Sequence, residues 1–359
     1  MSKHLLGNIC VETKNASLNG SKKENENIHG GFDNISFCKK ISINKDKYPY
    51  ASACQISRNI LKTLKTNFGH NLAKVKLNGK QAMPECHPAK NIDEDIRGFM
   101  FAGTAKLSEE EYEEKTEKEQ SLYKATKKNN KTTYTLNVTK KRKACLQLTP
   151  LQAIQPTKIQ TEFGVCITDK DNCIYNKEVY AGYMSYSFNF DLTNVGKFKV
   201  SEDSSGFRDY DEKEAKSLGL NIDENNNIIL DKKIRLKRIS DTLRAMQFYN
   251  SNVRQTSNLE DLTPKFVILG EYSIGNNIFN NIFRNGELDI EYLKEAIFEN
   301  EPFRTSSIFI GVRTGFMPGI KENLIDMGKQ LEEKNINIKI GTIKEAFDKY
   351  IEHVEKTLE

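Results

Sequence analysis

The spacing of apolar residues predicts a strand and then a helix near the start of the chain. Residues 4–13, "HLLGNICVET", alternate in the manner of a strand. A helix is predicted to begin at Tyr50 or Ala51, with Ser52 as its N-cap. Its apolar positions recur at helical spacing, so we expect them to face the core. They are Ile56, Ile60, Leu61 and Leu64.

The same patterns predict further strands and helices along the chain. The predicted strands lie in "ACLQLTPLQAI" (144–154), "FGVCITD" (163–169), the aromatic stretch 178–200 and "PKFVILGEYS" (264–273). Helices are predicted at 232–250, 287–299 and 342–357. In the first of these we expect the arginines to point outward. The apolar residues expected inward there are Ile234, Ile239, Leu243 and Met246.

This order of elements, βα…ββ…αβ, is that of an α+β, ferredoxin-like (RRM-type) domain that carries large insertions, although many other α+β proteins share it. The predicted parts are the start of this domain (1–69), an inserted region of helices and loops (70–140), the rest of the domain (141–270) and a C-terminal helical extension (271–359).

Positive charge is concentrated in parts of the chain. The net charge is +5, yet residues 1–90 hold fifteen Lys/Arg against six Asp/Glu. Residues 121–160 hold nine Lys/Arg and no acid, and residues 231–254 hold seven against two. Such partition is typical of a protein with a polyanionic partner on one surface. Mutual neutralisation of basic and acidic stretches in the fold is the alternative.

The apolar segments and cysteines indicate a cytoplasmic protein. No apolar stretch approaches the ~20 residues that span a membrane, so no membrane partner is expected. The N-terminus has no small-residue cleavage site typical of a signal peptide. The seven cysteines are scattered without a CxxC pair, which is typical of reduced thiols in the cytoplasm.

The sequence offers no set of residues typical of a catalytic centre. None of the five histidines lies in an HxxxH, HxH or Ser/His/Asp context, and no phosphate-binding glycine loop is present. Cys86 and His87 lack a matching second pair for zinc. Asp93, Glu94 and Asp95 could hold magnesium, although adjacent acids usually form a solvated turn. We therefore predict no enzyme activity, no metal and no cofactor.

Three segments carry residues suited to contact a nucleic-acid backbone, which basic and polar side chains and helix N-termini do. The first helix presents Ser52, Gln55 and Arg58. Residues 140–143 are four consecutive basic residues, and residues 254–255 follow a basic helix. A solvated basic face explains each segment alone, whereas their positions at element ends together favour a binding groove.

Several segments, in this order, resemble the DevR-type autoregulator family of CRISPR systems, the subtype I-B backbone subunit of Cascade within the RAMP superfamily. The resemblance covers about residues 4–270. Its segments are "GNICVETKNASLNG", "KYPYASACQISRNIL", "IDEDIRGFMFAGTA", "KKRKACLQLTPLQAIQP", "SYSFNFDLTNVGKF" and "RISDTLRAMQFYNSNVRQTSNLEDLTPKFVIL".

The resemblance implies that the first helix lays Ser52, Gln55 and Arg58 against guide-RNA phosphates. It also implies that the ferredoxin-like domain is a palm, that the insertion at 70–140 is finger-like, and that a β-hairpin thumb lies near 160–187. The sequence departs from the family pattern at Cys54, Ser57, Arg97, Ser251 and Asn252, where Gln, a basic residue, Phe or Tyr, and a Gly pair are usual. With the basic segments, the candidate RNA contacts are Asn19, Lys22, Lys23, Ser52, Gln55, Arg58, Lys62, Lys140, Lys141, Arg142, Lys143, Arg235, Arg238, Arg254 and Gln255.

The resulting hypothesis is a Cascade backbone subunit for antiviral defence. It would polymerise along a CRISPR guide RNA and display the guide for pairing with target DNA, so that base pairing supplies specificity. Its expected partners are the guide, target DNA through the guide, other copies of itself and other Cascade subunits. Two alternatives stay open: a RAMP-type endoribonuclease that processes precursor RNA, and a DNA-binding autorepressor.

Overall fold

The computed structural model describes residues 2–18, 20–21, 35–78, 81–121, 123–128, 131–167, 169, 172–201, 206–249 and 258–358. The chain forms two compact units. Unit 1 comprises Met1–His70, Cys145–Val195 and Lys232–Glu359, and unit 2 comprises Asn71–Ala144 and Gly196–Asp231. The second unit therefore takes residues 196–231 in addition to the segment that the sequence marks as inserted.

The described helices and strands have the following bounds. The helices are α1 (Ala53–Phe68), α2 (Ile92–Arg97), α3 (Glu109–Glu113), α4 (Glu117–Gln120), α5 (Glu212–Ser217), α6 (Lys232–Gln247), α7 (Ile290–Glu299), α8 (Ile320–Glu332) and α9 (Ile343–Thr357), with a 3₁₀ turn at Glu301–Phe303. The strands are β1 (His4–Ala16), β2 (Gly20–Ser21), β3 (Ile35–Cys38), β4 (Lys40–Ile43), β5 (Asp46–Ala51), β6 (Lys76–Asn78), β7 (Gln81–Met83), β8 (Phe99–Phe101), β9 (Thr104–Leu107), β10 (Lys124–Lys128), β11 (Lys131–Asn137), β12 (Lys140–Arg142), β13 (Leu146–Leu148), β14 (Leu151–Ala153), β15 (Gln160–Ile167), β16 (Asn172–Asp191), β17 (Lys197–Lys199), β18 (Asn227–Ile229), β19 (Phe266–Tyr272), β20 (Phe283–Arg284), β21 (Glu287–Leu288), β22 (Ile308–Val312) and β23 (Ile338–Gly341).

The sheet of unit 1 confirms the predicted ferredoxin-like palm. Its strands lie in the order β23-β22-β19-β1-β16-β14-β5-β4, and β13 also pairs with β16. Within this sheet, β1 pairs antiparallel with both β19 and β16, and β16 pairs antiparallel with β13. With α1 after β1 and α6 before β19, they reproduce the βαββαβ connectivity of that fold.

A glycine allows the two central strands to pack closely. Gly7 of β1 pairs with Phe188 of β16. A Cβ atom at position 7 would lie 2.4 Å from the Phe188 ring carbon Cζ and 2.7 Å from the carbonyl oxygen of Ile268. Because these distances are below van der Waals contact, any side chain here would force the ring or the neighbouring strand to move.

Helix α1 has the predicted N-cap, although it begins at Ala53 rather than at Tyr50 or Ala51, and three of its four predicted core residues are buried, with Leu61 half-buried. The Ser52 hydroxyl is the N-cap and accepts a hydrogen bond from the Gln55 backbone N–H at 3.4 Å. Gly69 ends the helix in the left-handed conformation, at φ 71°. Ile56, Ile60 and Leu64 are fully buried, which confirms the predicted apolar face.

Helix α6 buries a different face from the predicted one. Ile239, Leu243 and Met246 are in the core as expected, but Ile234 is 47% exposed. Arg235 and Arg238 are buried instead, with 3% and 4% exposure. These two arginines, not Ile234, continue the spacing of three and four residues that leads to the core positions, so helical geometry overrides the polarity of the side chain.

The C-terminal segment extends the sheet as well as adding helices. The strand predicted at 264–273 and the helices predicted at 287–299 and 342–357 are confirmed as β19, α7 and α9. Between them, β22 pairs antiparallel with β19, and β23 pairs parallel with β22. The helical extension predicted at 271–359 therefore also contributes two strands to the sheet. Among the described residues, no helix combines the length and apolar character needed to cross a membrane.

The buried face of α1 generates a stability prediction. We expect Ile60→Ala to lower the free energy of unfolding by about 2–5 kcal/mol, because it removes fully buried methyl groups and leaves a cavity. Urea denaturation followed by circular dichroism measures the loss. Lys65→Ala, on the exposed side of the same helix, should change stability by less than about 0.5 kcal/mol. Equal losses in the two variants would contradict the assigned faces.

Candidate nucleic-acid interface

The charged residues of α1 are all basic and lie on its exposed side. Arg58, Lys62 and Lys65 are exposed and lie four and three residues apart, so they share one side over about 10 Å of helix. The helix contains no acidic residue. Arg58 has no ion-pair partner among the residues that the structure describes. The exposed charges on this side of α1 are therefore all positive.

Two of the predicted polar contacts at the start of α1 already have partners within unit 1. Ser52 caps the helix through the Gln55 backbone N–H. The Gln55 side-chain amide donates to the carbonyl oxygen of Leu18, just beyond β1. Both side chains are half-buried. Their RNA contacts stay predictions, and the hydrogen bonds give both residues a role in positioning α1.

The basic run at 140–143 does not form a single surface. Its first three residues form β12, which pairs with β8, so successive side chains point to opposite faces. Lys140 forms an ion pair with Glu214. The Lys141 backbone N–H donates to the carbonyl oxygen of Arg208 at 2.9 Å. Lys143 is exposed, whereas Arg142 is buried.

Arg142 is a structural residue at the centre of unit 2, which corrects its assignment as a direct RNA contact. Its side chain is 7% exposed and pairs with Asp95 and, at 3.2 Å, with Asp209. The guanidinium also donates to the carbonyl oxygen of Lys197 at 3.0 Å and lies 4.6 Å from the Phe198 ring centroid. Its donors are directed into the unit rather than to solvent.

The acidic turn that sequence patterns treat as solvated is largely internal. Glu94 and Asp95 are buried in α2. The Glu94 carboxylate accepts hydrogen bonds from the backbone N–H groups of Cys86 and His87, each at 2.7 Å. Burial raises the pKa of Glu94, against the opposing effect of these hydrogen bonds. Glu94 therefore holds the backbone at residues 86 and 87 in place.

The Cys86–His87 pair is also engaged within unit 2. Burial raises the pKa of the Cys86 thiol to about 12, which disfavours a thiolate ligand. The His87 Nδ1 atom lies 2.8 Å from the Tyr210 hydroxyl. Within the described ranges, no group of three or more His, Cys, Asp and Glu side chains is arranged to hold a metal ion.

The remaining predicted contacts divide into buried and undescribed residues. The Arg235 guanidinium donates to the carbonyl oxygens of Val195 at 2.8 Å and Thr193 at 3.3 Å. Its burial, with that of Arg238, corrects the expectation that α6 presents these arginines outward. The candidates outside the described residues are Asn19, Lys22, Lys23, Arg254 and Gln255.

A two-stranded β-hairpin occupies much of the segment predicted to hold a thumb. Strand β15 pairs antiparallel with the first part of β16, from Gln160 opposite Val179 to Ile167 opposite Asn172. The second part of β16 belongs to the central sheet. Alternation places Phe163, Val165 and Ile167 on one face of β15, where all three are exposed.

Sequence reasoning missed a groove on the sheet of unit 1. It has a volume of about 920 Å³ and is lined by side-chain amides, hydroxyls and three tyrosines, with Arg284 as its only cation among the described residues. Arg284 lies 5.3 Å from the Tyr292 ring centroid. No local pattern could reveal this groove, because its walls come from four separate segments, near residues 48, 150, 186 and 284.

Comparisons with known proteins place the fold. No protein-family model matches the chain, and no curated protein matches it in sequence. A solved chain described as "CRISPR RNA-guided surveillance complex, pre-nicking" aligns over 98% of this chain and 99% of its own, with a TM-score of 0.51 and 9% identity. The chain shares its fold with a CRISPR surveillance-complex protein. A second solved chain, described as "CRISPR RNA-guided surveillance complex", aligns over 87% of this chain and 90% of its own, with a TM-score of 0.47 and 10% identity.

The internal role of Arg142 yields a prediction that contrasts it with its neighbour. Arg142→Ala should cost about 3–5 kcal/mol of folding free energy, because it leaves Asp95 and Asp209 buried without their cation. Lys143→Ala should change stability by less than about 0.5 kcal/mol. Chemical denaturation measures both. A stable Arg142→Ala protein would contradict the structural assignment.

Proposed function

We propose that this chain is an RNA-binding backbone subunit of a CRISPR RNA-guided effector complex. The observation that carries the proposal is the fold shared over nearly the full length of both chains with a protein of such a complex. The acid-free, exposed basic side of α1 supports it, because a phosphate backbone is the partner that such a surface suits.

In its finer form, the proposal follows the resemblance to the subtype I-B, DevR-type family. The subunit would bind along a CRISPR guide RNA in the cytoplasm, contact further copies of itself and other Cascade subunits, and leave the bases free to pair with target DNA. The exposed β15–β16 hairpin supports this form, since it is suited to act as the thumb of such a subunit.

The proposed role is binding without catalysis. Each of the four described histidines already contacts another residue inside its unit. His4 lies 3.0 Å from Asn189, His70 lies 2.7 Å from Asp241, His87 contacts Tyr210 and His353 lies 3.7 Å from Glu271. This arrangement favours structural roles for them over the acid–base role that an endoribonuclease requires.

The role of α1 is tested by the salt dependence of RNA binding. Arg58→Ala should weaken binding to guides of any spacer sequence by a similar factor, because phosphate contacts carry no sequence information. It should also lower the slope of log affinity against log salt concentration by about 0.7, the expected loss for one single-strand phosphate contact. Fluorescence anisotropy with labelled guide RNA measures both quantities.

A matched variant controls for net charge. Lys349→Ala removes one exposed cation from α9, and should leave the slope unchanged if this helix does not contact the guide. If Arg58→Ala behaves like Lys349→Ala in a folded protein, the basic side of α1 is an ordinary solvated helix face.

Assembly on RNA gives a second test. A subunit that tiles a guide must contact its copies head to tail, which produces an open array. We expect multi-angle light scattering to show particles larger than a dimer with guide RNA of full length, and smaller particles as the RNA is shortened. A protein that stays monomeric at saturating guide RNA would contradict the backbone role.

A further inference from the structure

We propose that a lysine-lined groove in unit 1, separate from α1, binds the phosphate backbone of single-stranded nucleic acid. The groove has a volume of about 390 Å³. Its cations are Lys40, Lys45, Lys47 and Lys158, and its acids are Asp46 and Glu178. The inference rests on the proposed RNA-binding function and adds a second contact surface to it.

The charges at the base of the groove neutralise each other. The Lys40 ammonium lies 3.0 Å from the Glu178 carboxylate, and both side chains are nearly buried. Glu178 also accepts a hydrogen bond from the backbone N–H of Cys38 at 2.8 Å. Glu178 is therefore already paired, and it does not cancel the charge of the outer lysines.

The outer lysines have no such partner. Lys45, Lys47 and Lys158 are exposed and form no ion pair among the residues that the structure describes. Against them the groove holds one exposed acid, Asp46. The solvent side of the groove thus carries an excess of two positive charges, which favours an anionic ligand with more than one charge.

The groove is built from segments far apart in the chain. Lys45 and Lys47 come from the β4–β5 hairpin, and Lys158 from the connection between β14 and β15. The Thr157 backbone N–H donates to the carbonyl oxygen of Lys47 at 3.0 Å, which fixes the two segments side by side. The fold, rather than closeness in the sequence, therefore brings these lysines together.

The hairpin turn places a lysine where the backbone favours glycine. Asn44 and Lys45 connect β4 to β5 and both have positive φ, at 49° and 77°. Two-residue hairpin turns of this kind prefer Asn-Gly, and a lysine at positive φ is uncommon. A charged side chain kept at a strained position is a feature of functional sites.

Strand β5 joins this groove to α1. Lys47 and Ser52, the N-cap of α1, lie five positions apart, or about 17 Å of extended strand. One strand therefore carries a basic surface at each end. A single-stranded polynucleotide long enough to reach both can be held at two points by the same edge of the sheet.

The experiment compares two triple variants of the full chain. One is Lys45→Ala/Lys47→Ala/Lys158→Ala, in the groove. The control is Lys321→Ala/Lys349→Ala/Lys356→Ala, which removes three exposed lysines from α8 and α9. Binding of a single-stranded RNA of about thirty nucleotides is measured over a range of salt concentrations. The groove variant should lose about 2 from the log–log salt slope, or about 0.7 for each phosphate contact, and the control should keep the wild-type slope.

A single substitution separates binding from folding. Lys45→Gly removes the charge and relieves the positive φ, so the melting temperature should stay the same or rise while RNA affinity falls. A lower melting temperature with unchanged affinity would overturn the proposal, because Lys45 would then support the hairpin instead of binding a ligand.

The remaining outcomes are also decisive. If the wild type binds RNA and the two triple variants bind equally, the groove proposal fails and the proposed function stands. If the wild type binds no RNA, both fail. Poly-glutamate and vesicles containing phosphatidylglycerol serve as other polyanions. If the groove lysines are needed for either as strongly as for RNA, the assignment to nucleic acid is wrong.

Discussion

The antiparallel pairing of β1 with β16 is the constraint on which unit 1 depends. It runs from His4 opposite Asp191 to Thr13 opposite Gly182, and it requires Gly7 where the Phe188 ring crosses the strand. β19 is added on the free side of β1, and β13 and β14 on the free side of β16. Because the first part of β16 also pairs with β15, the same strand anchors the exposed hairpin to the core.

The fold divides the positive charge of the chain between internal and exposed positions. Arg142 and Arg235 bond carbonyl and carboxylate oxygens inside their units, whereas Arg58 and Lys143 are exposed. Arginine suits the internal role because its planar fork donates several hydrogen bonds in fixed directions. The basic bias that suggests a polyanionic partner therefore overstates the charge that such a partner can contact.

Local patterns predicted the parts of the structure that depend on local physics. The cap and buried face of α1 follow from Ser52 and the spacing of its apolar residues, and β19 follows from an apolar run between turn residues. Polarity alone predicts the wrong buried face for α6, because Arg235 is held in the core by long-range hydrogen bonds while Ile234 is exposed. The lysine groove could not be predicted from local patterns, because long-range contacts bring its segments together, among them the Thr157–Lys47 hydrogen bond and the Lys40–Glu178 ion pair.

Exposed lysines are weak evidence for a site by themselves, since unpaired surface charges cost a folded protein little. Backbone strain, unlike the energy of an exposed charge, is not reduced by solvent screening. Lys45 combines both features: its ammonium has no ion-pair partner in the described part of the chain, and its φ of 77° suits glycine better. Glycine would relax this turn and remove a charge from the groove. The conformation of one residue therefore says more about this surface than the number of lysines around it.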